Sequence, residues 1–368
     1  MTIALLTLLG LLAFANGAND NSKGVATLVG SGAATPRRAL LWAAVTTMLG
    51  AAVSCWFSGA LVDRFSKGLF VQGAPLDSAF FVAVLIGAFS WVIIAVVTGL
   101  PVSTTHAIVG ALIGAGLATF TADSIHWTVV VSKFVQPLAL SPLVSCVIVY
   151  IIAGVVIHLE KRIATRCLCT TEVATEGASA AAVPAARFAL VVDEEAACAR
   201  QNAVVSVSTR GAGDVIHWLS CGFVGFARGW NDAPKIAALG VVALTSTLKS
   251  GGVMIAFLVV TLAMAAGGIL SGGRVLQTLA TKITPMGFSE SLAASFTTAI
   301  LVSLASWNGL PVSTTHVSTG AILGAGVKKN PRAIHWKKVG EVGLSWIVTL
   351  PSAALIAVIA RLLLARLG

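Results

Sequence analysis

The sequence predicts an all-α protein that crosses a membrane several times and consists of two inverted repeats. Three observations predict this fold class: an apolar composition, long apolar segments, and a set of motifs that occurs twice in the same order. We expect each repeat to contain about five membrane-spanning segments and a re-entrant or broken helical hairpin, an architecture found in secondary transporters.

The composition is that of a membrane protein. Of the 368 residues, 57% are hydrophobic and only 10% are charged, and the mean hydropathy is +0.93. Soluble domains average about 25% charged residues. Segments 79–98, 253–270 and 347–364 are almost wholly apolar, and each is close to the roughly 18–20 residues that cross a bilayer as a helix. The alternating pattern of membrane barrel strands is missing from the sequence, so helices are predicted.

The net charge of +10 does not indicate a nucleic-acid-binding protein. Most Lys and Arg residues lie in short segments between apolar runs, which is typical of the loops of a membrane protein. We therefore expect the lipid bilayer of the plasma membrane, or the inner membrane of a bacterium, to be the partner, and no nucleic acid. The six cysteines lack the spacing of a zinc site, and no metal site is predicted.

Two similar segments indicate an internal duplication. GLPVSTTHAIVGALIGAGL (99–117) matches GLPVSTTHVSTGAILGAGV (309–327) at most positions. Asp20 and Asp232, in GAND and GWND motifs, are separated by a similar interval. We therefore predict transmembrane repeats at 1–160 and 213–368. The intervening residues 161–212 are rich in charged and small side chains, and we predict a polar, flexible linker without chemistry.

The charges of equivalent loops indicate that the repeats are inverted. Loop 118–125 contains no Lys or Arg, whereas its equivalent in the second repeat contains Lys328, Lys329, Arg332, Lys337 and Lys338. Basic loops tend to face the cytoplasm, so the two loops are predicted on opposite sides of the membrane. Counting crossings from the basic loop puts the linker in the cytoplasm and both termini outside.

Each repeat contains a compact cluster of hydroxyl groups behind a proline. Pro101 and Pro311 suit the first turn of a helix, where hydroxyl and free backbone N–H groups together form an anion site. A single such run could equally cap a helix or bond to its own carbonyls. Two copies at equivalent places favour two clusters that face one tetrahedral anion. The candidate residues are Ser103, Thr104, Thr105, Ser313, Thr314 and Thr315.

Each repeat also contains an acidic residue within an apolar segment, preceded by asparagine: Asn19–Asp20 and Asn231–Asp232. A carboxylate there is costly and by default marks an ion or proton site. Gly17 and Gly229 predict breaks in the two helices, which would free carbonyl groups to coordinate a cation.

A lysine follows each aspartate by three residues. Lys23 and Lys235 would share a helix face with Asp20 and Asp232, and a buried pair costs less than either charge alone. These lysines are possible charge partners: they could neutralise the anion, replace a coupling cation, or form purely structural pairs. Arg228, whose counterpart is Asn16, receives no role in the site.

Two further features are less specific. His106 and His316 end the hydroxyl motifs, and hydrogen bonding within the helix bundle explains them better than substrate contact. The GALIGAG and GAILGAG segments that follow present small-residue faces, which permit close helix packing and a homodimer.

The segments GANDNSKGVATLVGSG, GWNDAPK and the two copies of GLPVSTTH together resemble the inorganic phosphate transporter (PiT) family. The resemblance covers both repeats and leaves out the linker. It implies a secondary transporter with a central phosphate site, coupled to sodium or protons and needing no cofactor. It also implies that the six Ser and Thr residues contact phosphate and that the Asn–Asp pairs serve the coupling ion. Enzyme motifs such as H-E-x-x-H, G-x-S-x-G or a Walker sequence are missing, so no enzyme is predicted.

The sequence departs from this family's usual motif at two equivalent positions. The motif reads GANDVANA, with asparagine where Lys23 and Lys235 stand here. An ammonium group in place of a sodium ligand favours proton coupling, or a built-in positive charge that substitutes for sodium. We therefore predict an alternating-access phosphate transporter coupled to H+ or Na+, with sulfate or another tetrahedral oxyanion as the alternative substrate.

Overall fold

The computed structural model describes residues 2–57, 59–66, 68–71, 76–163, 166–173, 187–194, 205–248 and 251–367, and most of them are helical. The helices of the first repeat are α1 (Thr2–Gly30), α2 (Pro36–Phe57), α3 (Gly59–Ser66), α4 (Ser78–Thr98), α5 (Thr104–Thr119), α6 (Trp127–Val129) and α7 (Gln136–Ile163). A π-helical turn, Val130–Val135, joins α6 to α7. The second repeat contains α8 (Thr209–Leu248), α9 (Gly251–Ser271), α10 (Gly273–Thr281), α11 (Phe288–Trp307), α12 (Thr314–Lys329) and α13 (Trp336–Leu367).

Seven helical segments of the described chain are long and apolar enough to cross a membrane, which confirms the predicted helical membrane fold. They contain α1, α2, α4, α7, α9, α11 and α13. Helices α5 and α12 have only 16 residues each, fewer than the roughly 20 that a spanning helix needs. Each follows a long apolar helix through an extended turn that begins at a glycine with positive φ, Gly99 or Gly309. The pairs α4–α5 and α11–α12 are therefore helical hairpins whose turns lie largely inside the protein.

The helices of the two repeats interleave. Helix α1 packs on α9 and α8 packs on α2, while α5 packs on α13 and α12 packs on α7. Equivalent helices thus make equivalent contacts with the opposite repeat. The result is a central group of α1, α2, α8 and α9, a second group of α4, α5 and α13, and a third of α7, α11 and α12, each with helices from both repeats.

The predicted helix breaks at Gly17 and Gly229 are wrong, because α1 and α8 continue through both glycines. The glycines allow backbones to touch instead. A Cβ atom on Gly17 would lie far inside 3.0 Å of the Met264 carbonyl oxygen in α9, and one on Gly229 equally close to the Thr47 carbonyl in α2. Helices α1 and α8 therefore contribute side-chain atoms to this region and no carbonyls freed by a helix break.

The small-residue faces of α5 and α12 are used within the chain. A Cβ atom on Gly110 would lie well under 3.0 Å from the Leu350 carbonyl oxygen in α13, and one on Gly320 would meet the Pro142 carbonyl in α7 in the same way. This confirms the predicted close packing. A homodimer, which these faces suggested, would need a different surface.

The segment between the repeats contains a three-stranded antiparallel sheet, so the flexible linker predicted there is wrong for its described residues. The strands, in spatial order, are β2 (Arg187–Glu194), β1 (Arg166–Val173) and β3 (Val205–Ser208). In β1, Cys167 and Cys169 are buried while Leu168 is 43% exposed. This alternation is the two-residue period of a strand, which the abundance of charged and small residues obscured in the sequence.

Candidate substrate-binding site

The predicted site residues converge in the interior of the protein. Helices α1 and α8 supply the Asn, Asp and Lys side chains, and the starts of α5 and α12 supply the hydroxyl groups. All twelve side chains are at most 4% exposed. The site is therefore closed to solvent in this conformation.

Helices α5 and α12 begin inside the site, at serine caps. Ser103 and Ser313 are the N-cap residues, and each hydroxyl accepts a hydrogen bond of 3.2 Å from the backbone N–H three residues later. The predicted position of Pro101 and Pro311 in the first helical turn is wrong, since both lie two residues before the cap in an extended segment. Capping thus accounts for the serines, while Thr104, Thr105 and Thr315 contact residues of α1 and α8.

Lys23 lies in a cage of four oxygen atoms. Its Nζ donates to the Asn19 Oδ1 atom (2.9 Å), the Val102 carbonyl (2.9 Å), the Asp20 carboxylate and the Thr315 hydroxyl. The ion pair with Asp20 joins residues three apart on one helix, as predicted. The hydroxyl of Thr315, however, comes from the second repeat.

Lys235 lies in an equivalent cage with the repeats exchanged. Its Nζ donates to the Thr105 hydroxyl (2.9 Å), the Val312 carbonyl (2.9 Å), the Asp232 carboxylate (3.2 Å) and the Asn231 Oδ1 atom. Each cage combines an amide, a carboxylate, a backbone carbonyl and a hydroxyl oxygen. These are the hard oxygen ligands that bind small cations in proteins, and here an ammonium group takes the position of the cation.

The repeats differ one helical turn before the aspartates. In the first repeat, Asn16 Nδ2 donates to Asp20 Oδ2 (3.0 Å) and to Thr104 Oγ1 (3.0 Å), so the Asn16 amide N–H groups are both satisfied. The residue of α8 that is equivalent to Asn16 is Arg228, at the same separation of 212 residues as Asp20 and Asp232.

Arg228 is buried and has no hydrogen-bond partner among the described residues. Its exposure is 0%, and Nε, Nη1 and Nη2 are all without a partner, as is Asp232 Oδ2. The carboxylates of Asp232 and Asp20 attract its guanidinium group through space. Sequence reasoning gave this residue no role in the site, although a charged side chain in an apolar segment, one turn before Asp232, was a signal for one.

A model of the phosphate transporter family matches residues 16–357. The chain belongs to the phosphate transporter family. A protein of Rhizobium meliloti named "Probable low-affinity inorganic phosphate transporter" is 28% identical over 366 residues, which are 97% of this chain and 96% of the relative. A Mycobacterium tuberculosis protein of the same name is 28% identical over 352 residues, covering 93% of this chain and 72% of the relative.

A solved structure described as "The sodium-dependent phosphate transporter" has the same fold as this family member. The TM-score is 0.76, and the match covers 100% of this chain and 99% of the other at 22% identity. The family and the fold together make the chain a multi-pass membrane transporter and not an enzyme. The comparison structure's sodium dependence is a property of that protein.

The histidines of this family member pack beside the site. The His106 and His316 rings lie 4.8 Å apart, and His316 contacts the Trp346 ring at 4.1 Å. The Nδ1 atom of His316 lies 2.7 Å from the Leu138 carbonyl oxygen. These contacts favour the predicted role within the helix bundle. Among the described residues, no group of three His, Cys, Asp or Glu side chains could hold a metal ion.

Proposed function

We propose that this transporter carries inorganic phosphate across the plasma membrane and binds it between α1, α5, α8 and α12. The observation that carries the proposal is that two hydroxyl clusters at helix N-termini share one buried site with Lys23, Lys235 and Arg228. Hydroxyl groups, helix N-termini and buried cations together suit a charged tetrahedral oxyanion. The family and the names of the relatives support phosphate as that anion.

The same site supports coupling to protons and not to sodium. Each oxygen cage contains a lysine ammonium group within hydrogen-bonding distance of four oxygens, which share its three N–H donors. A sodium ion would therefore have to displace a covalently attached cation. Asp20 lies in α1, which is long and apolar enough to span a membrane, and Asp232 is its equivalent in α8; a carboxylate in such a position can carry a proton. We therefore propose H+ symport, with no further cofactor.

Alternating access is the mechanism that fits the buried site. A substrate cannot reach residues that are at most 4% exposed unless the helices around them move. Because each packing group contains helices of both repeats, the moving parts are proposed to be these groups and not the two sequence halves. The hairpins α4–α5 and α11–α12 would open the site towards opposite sides in turn.

Uptake of labelled phosphate by purified protein in liposomes tests the proposal. We expect a proton gradient alone to drive accumulation, and an inward sodium gradient alone to have no effect. Sulfate in tenfold excess serves as the competing oxyanion and is expected to leave phosphate uptake unchanged.

Three results of this measurement would contradict parts of the proposal. Accumulation that requires sodium would mean that the lysine cages are not the coupling sites. If sulfate blocks phosphate uptake, or is itself accumulated, the substrate would be sulfate and not phosphate. Liposomes that accumulate neither anion would refute the transport function proposed for the site.

The orientation in the membrane is a further part of the proposal. Cysteines introduced into a cysteine-free protein at Asp123 and Lys337, both exposed, are expected to react with a membrane-impermeant maleimide from opposite sides. The reason is that the loops are equivalent in inverted repeats and only the second is basic. In whole cells, Asp123→Cys should be labelled and Lys337→Cys protected, and labelling of both from one side would contradict inversion.

A further inference from the structure

We infer that the phosphate ion is bound off-centre, in the second repeat, by the Arg228 guanidinium and the Thr314 hydroxyl, while Asp232 accepts a hydrogen bond from its P–OH group. The inference rests on the proposed function, because it takes phosphate as the substrate of the same site. It departs from a symmetric arrangement in which both hydroxyl clusters contribute equally.

The described part of the first repeat leaves no free hydrogen-bond donor for an anion at this position. Asn16 Nδ2 bonds to Asp20 Oδ2 and Thr104 Oγ1, both at 3.0 Å, and Thr104 itself lies 3.4 Å from the Asp20 carboxylate. Lys23 holds the other carboxylate oxygen. The donors of the three side chains are thus used and the carboxylate already accepts from them, while Asn16 Oδ1, an acceptor, has no partner among the described residues.

The equivalent set in the second repeat is open. None of the three Arg228 nitrogens, nor Asp232 Oδ2, has a hydrogen-bond partner in the described part of the chain. Lys235 bonds Asp232 Oδ1 and the Val312 carbonyl as Lys23 bonds Asp20 Oδ1 and the Val102 carbonyl. Thr314 is the residue of α12 that is equivalent to Thr104 in α5, and Asp232 Oδ2 accepts no hydrogen bond from it.

A buried guanidinium without partners points to an anionic ligand. Burying an unpaired charge or donor is costly, and native proteins rarely leave one unsatisfied. The planar fork of arginine matches two oxygens of a tetrahedral oxyanion, a geometry that lysine cannot provide. The carboxylates that attract Arg228 make no hydrogen bond to it, so its donors are available.

The free carboxylate oxygen explains a preference for phosphate. Asp232 Oδ2 has no donor among the described residues, and a protonated phosphate can supply one through its P–OH group. Sulfate carries no proton near neutral pH, so it could not donate a hydrogen bond to this oxygen. The negative charges of sulfate and of the carboxylate would repel each other. Sites that hydrogen-bond a substrate hydroxyl discriminate strongly against analogues that lack it.

Equilibrium binding of labelled inorganic phosphate to purified protein in detergent tests the inference. We expect Arg228→Met to weaken binding about 10- to 100-fold, as for loss of a hydrogen bond to a charged group. Arg228→Lys should bind more weakly than the wild type because it keeps the charge and loses the fork. Arg274→Met is the control, since Arg274 is exposed and donates to the Val97 carbonyl; its binding should equal that of the wild type.

The equivalent threonines provide a comparison within the site. Thr314→Val and Thr104→Val remove the same hydroxyl from α12 and α5, and we expect the loss of phosphate binding to be several-fold larger for Thr314→Val. Equal losses would indicate a symmetric site and overturn the inference.

Thermal unfolding separates binding from a structural role. Without phosphate, Arg228→Met should unfold at or above the wild-type temperature, because it removes an unpaired buried charge. At the same phosphate concentration, the wild type and Arg274→Met should gain more stability than Arg228→Met, since a ligand stabilises the state that it binds in proportion to its affinity. A phosphate-free Arg228→Met protein that unfolds at a clearly lower temperature would make Arg228 structural and overturn the inference.

The same measurements distinguish this inference from the proposed function. If the wild type binds phosphate and Arg228→Met binds it with the same affinity, the inference is overturned and the proposed phosphate transport stands. Wild-type protein that binds sulfate as tightly as phosphate overturns the role of Asp232. Wild-type protein that binds neither anion refutes the proposed function together with the inference.

Discussion

Replacing Asp20 with asparagine is expected to abolish the accumulation of phosphate in liposomes and to destabilise the protein. Asp20 accepts hydrogen bonds from Lys23 and Asn16 and is 1% exposed. Without it, three buried cations in and beside the site would face a single carboxylate, that of Asp232. Removing one partner of a buried ion pair costs about 3–5 kcal/mol. Uptake and the thermal unfolding midpoint are the two measurements.

Asp77→Asn is the matched control for this change. The same chemical substitution is made here at an exposed carboxylate. Asp77 caps α4 by accepting a hydrogen bond from the Phe80 N–H (2.6 Å), and it pairs with Arg361 (3.2 Å). Asparagine is also a good N-cap residue, so uptake should be unchanged. Full accumulation by Asp20→Asn would refute the assignment of Asp20 to coupling.

A double variant separates stability from transport. Asp20→Asn combined with Lys23→Met restores the charge balance of the site, so the unfolding midpoint should recover relative to Asp20→Asn alone. Transport should remain absent because the carboxylate is still missing. Recovery of uptake in the double variant would show that Asp20 serves only to compensate Lys23.

Replacing Gly17 with alanine is expected to prevent folding of the transporter. A Cβ atom there would lie far inside contact distance of the Met264 carbonyl oxygen, and backbone cannot rotate away as a side chain can. Overpacking costs about 1–3 kcal/mol when side chains can adjust, and we expect a larger loss here. The measurement is the yield of monodisperse protein and its unfolding midpoint.

Gly340→Ala is the control, because Gly340 lies within α13 with nothing within 4 Å of the added atom. Alanine has a higher helix propensity, and this variant should gain up to about 1 kcal/mol. A Gly17→Ala protein that folds with wild-type stability would contradict the close contact between α1 and α9.

The site was predictable to the extent that its contacts are local. The Asp20–Lys23 and Asp232–Lys235 pairs follow from a separation of three residues on a helix, and both occur. Contacts such as that of Lys23 with Thr315 join residues 292 positions apart. They depend on how the repeats interleave, which no local pattern encodes.

Two predictions were wrong for different reasons. The glycines in the GAND and GWND motifs suggested helix breaks, because glycine weakens an isolated helix. In the folded protein they bring two backbones together, and packing keeps the helices continuous. The sheet between the repeats was hidden because charged and small residues dominate the composition of that segment.

The amino-acid sequence by itself determined the helical membrane fold, the duplication and the twelve candidate residues, because hydropathy and repeated motifs are linear properties of the chain. Only the tertiary structure decided which side chains meet. In it, the Thr105 hydroxyl contacts Lys235 and the Thr315 hydroxyl contacts Lys23, each in the other repeat. Arg228 is buried without a hydrogen-bond partner in the described chain. The physical reason is that burial and hydrogen bonding of a charged group depend on helices that are distant in sequence and adjacent only after folding.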